Sequence, residues 1–279
     1  MRSFVGKVAA ITGAASGMGR ALAIELAKQS CQLALCDVND EGLEETGRQA
    51  RAFGGVVTLA HVDVADREAV FKWASSASQD HGRVHMLFNN AGVALSSLLE
   101  NVPLADFQWI MAINFWGVVH GTQAFLPILA KSGEGHIINT SSLFGLMAAP
   151  TMGPYCVSKF AVRGFTEALR MELELTGSCV SATSVHPGGI RTHISQSARM
   201  DPSLKLLGLE DLEAARTQFD TLLNTTSANR AALQILRAVK RNQRSVLIGP
   251  DAWWMDKILR LLASWYQILV IKGARHFMR

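Results

Sequence analysis

The sequence predicts an α/β fold: a doubly wound parallel sheet of seven strands with helices on both faces. Three observations predict it. Seven short apolar runs alternate with segments whose apolar residues recur every three or four positions, the pattern of repeated βαβ units. A glycine-rich turn, "TGAASGMG" from Thr12 to Gly19, follows the first run and opens the first helical segment. An acid, Asp37, closes the second run.

The strand-like runs are, in order, "KVAAIT", "QLALCD", "VVTLAHVDV", "HMLFNNAG", "GHIINTSS", "CVSATSVHP" and "SVLIG". Helices are expected between them near 17–30, 40–53, 66–79, 104–131, 155–176 and 227–241. No internal repeat, low-complexity tract or Pro/Gly linker divides the chain. We therefore expect one domain over residues 1–250, with a lid at about 193–226 and a tail over 251–279.

Composition narrows the class. A hydrophobic content of 49% with 18% charged residues can bury a sizeable core in 279 residues. The four cysteines, Cys31, Cys36, Cys156 and Cys179, form neither a CxxC pair nor a cluster with histidines. Neither a metal site nor a disulfide framework is expected, and a reducing, cytoplasmic setting follows. The N-terminal apolar run is broken by Gly6 and Lys7, unlike a signal peptide. Net charge is +4, but no Lys/Arg cluster with interleaved aromatics precedes the tail, so nucleic acid is not an expected partner.

The turn after the first strand carries the first chemical signal. Gly13, Ser16, Gly17, Met18 and Gly19 lead into the helical "RALAIELAKQ", which would aim free backbone N–H groups and a helix N-terminus at one point. Such a point attracts phosphate, although tight turns also need glycine for steric reasons. Asp37 lies near the roughly 20-residue offset of a ribose-binding acid. A carboxylate there accepts hydrogen bonds from adenosine ribose hydroxyls and repels a 2′-phosphate, which favours NAD(H) over NADP(H). Arg20 and Arg48 are the cations that keep NADP(H) open, and Asp37 could instead cap the next helix.

In "GPYCVSKFAVRGF", Tyr155 and Lys159 stand in i, i+4 relation and share one helix face. A nearby ammonium favours phenolate, so this pair could make tyrosine a usable acid or base, though the same spacing is common in ordinary exposed helices. Ser142, in "IINTSSLFG", falls just past a strand, at the sheet edge where α/β folds bind ligands.

Taken in order, the glycine turn, "NNAG" at Asn89–Gly92, Asn114, Ser142, Tyr155 and Lys159 resemble the short-chain dehydrogenase/reductase family over roughly residues 5 to 250. The resemblance implies a Rossmann-like sheet and an oxidoreductase using NAD, with NADP less favoured. It implies that Tyr155 exchanges a proton with the substrate oxygen while hydride moves between substrate carbon and nicotinamide, and that Ser142 holds that oxygen. Lys159 would lower the Tyr pKa and bind the nicotinamide ribose. Asn114 would position a water in a proton relay, or serve only as a helix-bending polar residue. Asp63 and Val64 match a pair that contacts adenine, and Asn90 would lie beside the cofactor ribose unless "NNAG" is purely structural. In "HPGGIRT", Pro187 and Gly188 would shape a bend, Ile190 would face the ring and Thr192 the carboxamide. A homo-oligomer, dimer or tetramer, is implied through the long helices around 104–131 and 155–176.

Two segments depart from the rhythm. The lid carries Leu204, Leu206, Leu207, Leu209 and Leu212, and the uncharged Leu95, Leu98, Leu99, Leu143, Phe144, Leu146 and Met147 flank the expected site. A small lipophilic alcohol or carbonyl compound is the expected substrate. Arg191, His193 and Arg199 are candidate polar contacts without an assigned place. The tail places Ile258, Leu261, Leu262, Trp265 and Leu269 at helical spacing and holds five Lys/Arg against two Asp. Its longest run without a charge, Leu261 to Ile271, is 11 residues, short of the roughly 20 that span a bilayer. Packing on a subunit or the pocket mouth, peripheral membrane contact and core covering all remain open for it. Beside the enzyme, a non-catalytic dinucleotide-binding regulator and a membrane-surface scaffold are the alternatives from other classes.

Overall fold

The computed structural model describes residues 1–192, 194, 197–214, 216–217 and 225–277, the side chains of 276 and 277 excepted. Its strands are β1 (Val8–Thr12), β2 (Gln32–Asp37), β3 (Val57–His61), β4 (Met86–Asn89), β5 (Leu95–Ser96), β6 (Gly135–Thr140), β7 (Val180–Pro187), β8 (Ile190–Arg191), β9 (Arg199–Met200), β10 (Thr226–Ser227) and β11 (Ser245–Ile248). The helices are α1 (Gly17–Ala27), α2 (Asp40–Arg51), α3 (Arg67–His81), α4 (Leu104–Met111), α5 (Gly117–Lys131), α6 (Gly153–Leu175), α7 (Ala228–Lys240), α8 (Pro250–Leu262) and α9 (Tyr266–Phe277).

Seven strands form one parallel sheet in the order β11-β7-β6-β4-β1-β2-β3. The chain steps outward from β1 to β3, then returns past β1 to β4 and winds the other way. The strand ends on either side of that reversal open a crevice, the usual ligand site of such sheets.

Strand alternation builds two cores. Ala9, Ile11, Leu33 and Leu35 point to the layer containing Leu22 and Leu26 of α1 and Ile235 and Val239 of α7. Val8, Ala10, Ala34 and Cys36 point to the other layer, which holds Trp73 of α3, Phe125 and Leu129 of α5 and Leu169 of α6. Both faces of β1 and β2 are thus covered, which is why these strands read as unbroken apolar runs rather than as alternating ones.

Two helical segments differ from expectation. The interval 104–131 is not one helix: a π turn, Ala112–Trp116, separates α4 from α5, and it contains Asn114. The tail is likewise two helices, because the chain turns at Ala263, which has φ +46°, and a short 3-10 turn at Ala263–Trp265 follows. Among the described residues no helix is long and apolar enough to cross a membrane.

Candidate active site

The glycine turn is held from below by the protein itself. The Thr12 hydroxyl accepts the amides of Asn90 and Ala91, both at 3.0 Å, and the Asn90 side chain donates to the carbonyls of Thr12 and Gly13, both at 3.1 Å. A side chain at Gly13, where φ is +66°, would sit 2.7 Å from Ala91 Cα, and one at Gly19 would overlap the Gly13 carbonyl. These two glycines are demanded by the chain's own backbone. Gly17, at φ +52°, faces Thr192 across the crevice. Ser16 is the N-cap of α1 but makes no side-chain cap bond, and no acid stands in the first turn. The first amides of α1 are therefore uncapped by side chains, a donor set that suits an anion.

Asp37 turns its carboxylate toward this turn. One oxygen accepts the Ala15 amide at 2.9 Å and the other the Asn39 amide at 3.0 Å. Each oxygen keeps spare acceptor capacity. Arg20 lies beneath the turn, its guanidinium donating to Thr46 Oγ1 at 2.9 Å and to the Ala15 and Gly42 carbonyls, and Arg48 pairs with Glu45 at 2.7 Å. Asp63 and Val64 follow β3. Asp63 caps the Ala65 amide, and Val64 packs on Gly117.

Ser142 follows β6, and Tyr155 and Lys159 project from the first turns of α6 into one cleft. Lys159 Nζ donates to the Thr140 carbonyl at 3.0 Å and lies 5.6 Å from the Tyr155 ring centre. Ser142 lies beside the Tyr155 phenol in the cleft. Burial pushes the phenol up to about 12, outweighing the lowering by Ser142, and burial pushes the Lys159 ammonium down to about 8. The sequence suggests a Tyr pKa lowered by its neighbour; in the folded pocket desolvation dominates, and the resting group is a protonated phenol.

Ser142 is itself positioned by His186, which the sequence reading passed over. The Ser142 carbonyl can only accept, so His186 Nδ1 carries the proton of their 3.1 Å bond, and Nε2 accepts from Ser184 Oγ at 3.0 Å. Asn114 lies behind the cleft, fully buried. Its Oδ1 accepts the Val93 amide at 2.8 Å, and its Nδ2 donates to the Val93 carbonyl at 2.9 Å and to Ser158 Oγ at 3.1 Å.

The cleft brings together Met18, Asn90, Ser142, Tyr155, Lys159, Pro187, Gly188, Ile190 and Thr192 from the expected set. Leu143, Phe144, Met152, Ile194, Ala198 and Met200 supply an apolar wall. Gly13, Ser16, Gly17, Gly19, Asp37, Asp63, Val64 and Asn114 lie outside that lining. So do the lid leucines: Leu204 is buried, whereas Leu206 is exposed. Arg199 is spent on Asp106 and on the face of Trp109, its guanidinium carbon 3.7 Å from the ring centre. His193 falls outside the described residues, as does part of the expected lid. Two charged residues reach the cleft unannounced by any motif: Arg216 and Asp251.

The family profile for short chain dehydrogenases matches residues 7–203. The chain belongs to the short-chain dehydrogenase/reductase family. This short-chain dehydrogenase is 44% identical over 277 residues to the putative oxidoreductase SadH of Mycobacterium tuberculosis, covering 99% of the chain and 98% of that relative. It is 34% identical over 210 residues to human estradiol 17-beta-dehydrogenase 11, covering 73% and 69%. A crystal structure of a short-chain dehydrogenase/reductase from Burkholderia phymatum in complex with NAD superposes with a TM-score of 0.87 at 31% identity, covering 96% of this chain and 97% of that one. The chain is thus an oxidoreductase of this family. The uncapped first turn of α1 and the spare acceptors of Asp37 fit a dinucleotide with a negatively charged linkage and a ribose diol.

Proposed function

We propose that this short-chain dehydrogenase interconverts a lipophilic secondary alcohol and its ketone, or an aldehyde counterpart, with NAD(H) preferred over NADP(H). The observation that carries it is the convergence of Ser142, Tyr155 and Lys159 on one apolar-walled cleft beside Pro187–Thr192. The preference for NAD(H) is supported by Asp37 at the glycine turn and by the engagement of Arg20 and Arg48 elsewhere, which leaves neither cation free for a 2′-phosphate.

Bound NAD(H) supplies the hydride chemistry. Tyr155 enters reduction as an acid: its phenol, protonated at any working pH, gives its proton to the carbonyl oxygen as the carbon is reduced. In oxidation Tyr155 takes the proton back from the alcohol. That duty needs added positive charge, since burial holds the phenol at about 12. Lys159 is the cation closest to this role, with Nζ anchored on the Thr140 carbonyl and two donors left. Ser142 holds the substrate oxygen, its main chain fixed by His186. The Asn114 side chain is already committed to Val93 and Ser158, so any relay water meets its remaining Oδ1 lone pair or its carbonyl. Leu143, Phe144, Met152 and Met200 favour an apolar substrate body. Exposed Trp116 in the π turn and exposed Val157 and Phe160 on α6 support a homo-oligomer formed there.

The test joins binding to turnover. Titration with NADH and NADPH, followed by fluorescence, reads cofactor choice; oxidation of hydrophobic secondary alcohols reads chemistry. Tyr155→Phe is expected to cut turnover by about 10²–10⁴-fold, the span of general acid–base catalysis, while NADH affinity holds. Equal turnover in the variant overturns the mechanism, and tighter NADPH than NADH binding overturns the cofactor assignment.

A further inference from the structure

The last two helices present an apolar surface that no described residue covers. Trp254 is 62% exposed, Leu261 84% and Trp265 69%, and Ile268, Leu269 and Ile271 are exposed beside them. Core covering, one of the uses open to the tail, is thereby excluded for these side chains. The exposed charges that the tail itself carries have one sign. From 251 onward the only acids are Asp251 and Asp256, and both are turned inward: Asp251 onto the Gly189 amide, Asp256, which is buried, onto Arg260 at 2.8 Å. Lys257, Lys272 and Arg275 are left on the outside with no acid of the tail beside them, whereas Arg260 is paired with Asp256 and shares a groove with Glu167.

That charge pattern separates the two candidate occupants. A two-fold contact between copies sets each patch against itself, so Lys257, Lys272 and Arg275 would meet the same three cations with no acid of the tail to pair. An anionic bilayer supplies both missing partners, negative headgroups for the cations and an interfacial zone in which tryptophan and tyrosine rings are favoured.

We propose that α8 and α9 rest on an anionic lipid surface, with Trp254, Leu261, Trp265 and Leu269 entering the headgroup–acyl boundary and Lys257, Lys272 and Arg275 meeting lipid phosphates. The contact is peripheral, since no described helix is long and apolar enough to span. The surface adjoins the cleft: Tyr266 Oη accepts the Ala148 amide at 3.0 Å, and Ala148 lies just beyond Leu143 and Phe144, which line it. An apolar substrate dissolved in the bilayer would then reach the site without crossing water. The docking itself does not rest on the oxidoreductase reading.

The full-length protein would be floated with vesicles of phosphatidylcholine alone and of phosphatidylcholine mixed equally with phosphatidylglycerol. Recovery is expected to be about ten-fold higher with the anionic vesicles and to fall as salt is raised. Leu261→Ser with Trp265→Ser, and separately Lys272→Gln with Arg275→Gln, are expected to abolish flotation while melting temperature and NADH affinity stay unchanged. Absence of flotation with either vesicle, or equal flotation by all variants, overturns the proposal. So does light scattering that shows the Leu261/Trp265 variant dissociating an oligomer, with flotation of the parent no better than background, which would assign the face to a second copy.

Discussion

The Asp251 carboxylate accepts the backbone N–H of Gly189, and so ties the first turn of α8 to the bend that follows β7. The fit is tight on both sides: a Cβ at Gly188 would overlap the carboxylate, and one at Gly249 would lie 2.5 Å from its Oδ1. The same bend is held by Thr226 N and Thr225 Oγ1, which donate to the Gly189 carbonyl at 3.0 and 2.8 Å. The C-terminal segment is therefore part of the frame of the cleft. A hydrogen bond to a charged acceptor is worth roughly 1.5–3 kcal/mol. Asp251→Ala is expected to lower the melting temperature by several degrees and to weaken NADH binding about ten-fold. Thermal melting and fluorescence titration check this, and unchanged NADH affinity would make the contact purely peripheral.

Asp37 carries the cofactor preference by charge. Asp37→Asn keeps one acceptor for the turn amides and removes the repulsion toward a 2′-phosphate. The ratio of NADPH to NADH dissociation constants is expected to fall about ten-fold, which corresponds to about 1.4 kcal/mol. Because Arg20 stays bound under the turn, NADPH should not become the tight ligand. An unaltered ratio would remove Asp37 from the ribose site.

What the sequence disclosed follows from locality. The seven parallel strands were readable because strands buried on both faces are continuous apolar runs. Ser142, Tyr155, Lys159 and the Pro187–Thr192 bend were readable because each is a short motif at a strand end or helix start. Asp251, Arg216 and His186 were not, because each acts on the cleft or its frame through contacts made by folding, with no local pattern to mark them. The lid leucines show the converse: their spacing named neither their burial nor their neighbours, since only Leu204 is buried and Leu206 is exposed, and the wall is instead made by Ile194, Ala198 and Met200. The glycines at 13 and 19 were legible as a turn, while their reason, the close approach of Ala91 and of the Gly13 carbonyl, required coordinates. Nor does helical periodicity register the π turn at Asn114 or the break at Ala263, since apolar spacing persists across both.

Asn114 separates a structural from a catalytic effect. Asn114→Ala removes the partner of the Val93 amide and carbonyl, which are partly buried, and one of the two bonds of the buried Ser158 hydroxyl, which keeps its bond to the Tyr155 carbonyl. Each unsatisfied buried group costs about 1–3 kcal/mol, so a melting-temperature drop of several degrees should accompany any loss of turnover. A stable variant with lost turnover would place the residue in the proton path alone.

Buried neutral histidines set an acid limit on stability. Burial pushes His136 down to about 3 and His186 down to about 4, from 6.5. As pH falls through 6.5 the unfolded chain takes up these protons and the folded chain does not, so the unfolded state binds more protons and stability drops with decreasing pH. At pH 5 the loss is about 2 kcal/mol for each residue, and His81 and His85, also lowered by burial, add in the same direction. The His136 ring donates from Nε2 to Thr183 Oγ1 at 2.7 Å, because the Thr183 proton is already given to the Gln243 carbonyl. Gln can reproduce that donor without titrating. His136→Gln is therefore expected to reduce the fall in unfolding free energy between pH 7.5 and 5 by about 2 kcal/mol, whatever its effect at neutral pH. Urea unfolding at the two pH values measures it, and a pH dependence identical to that of the parent would show that His136 does not contribute to the acid limit.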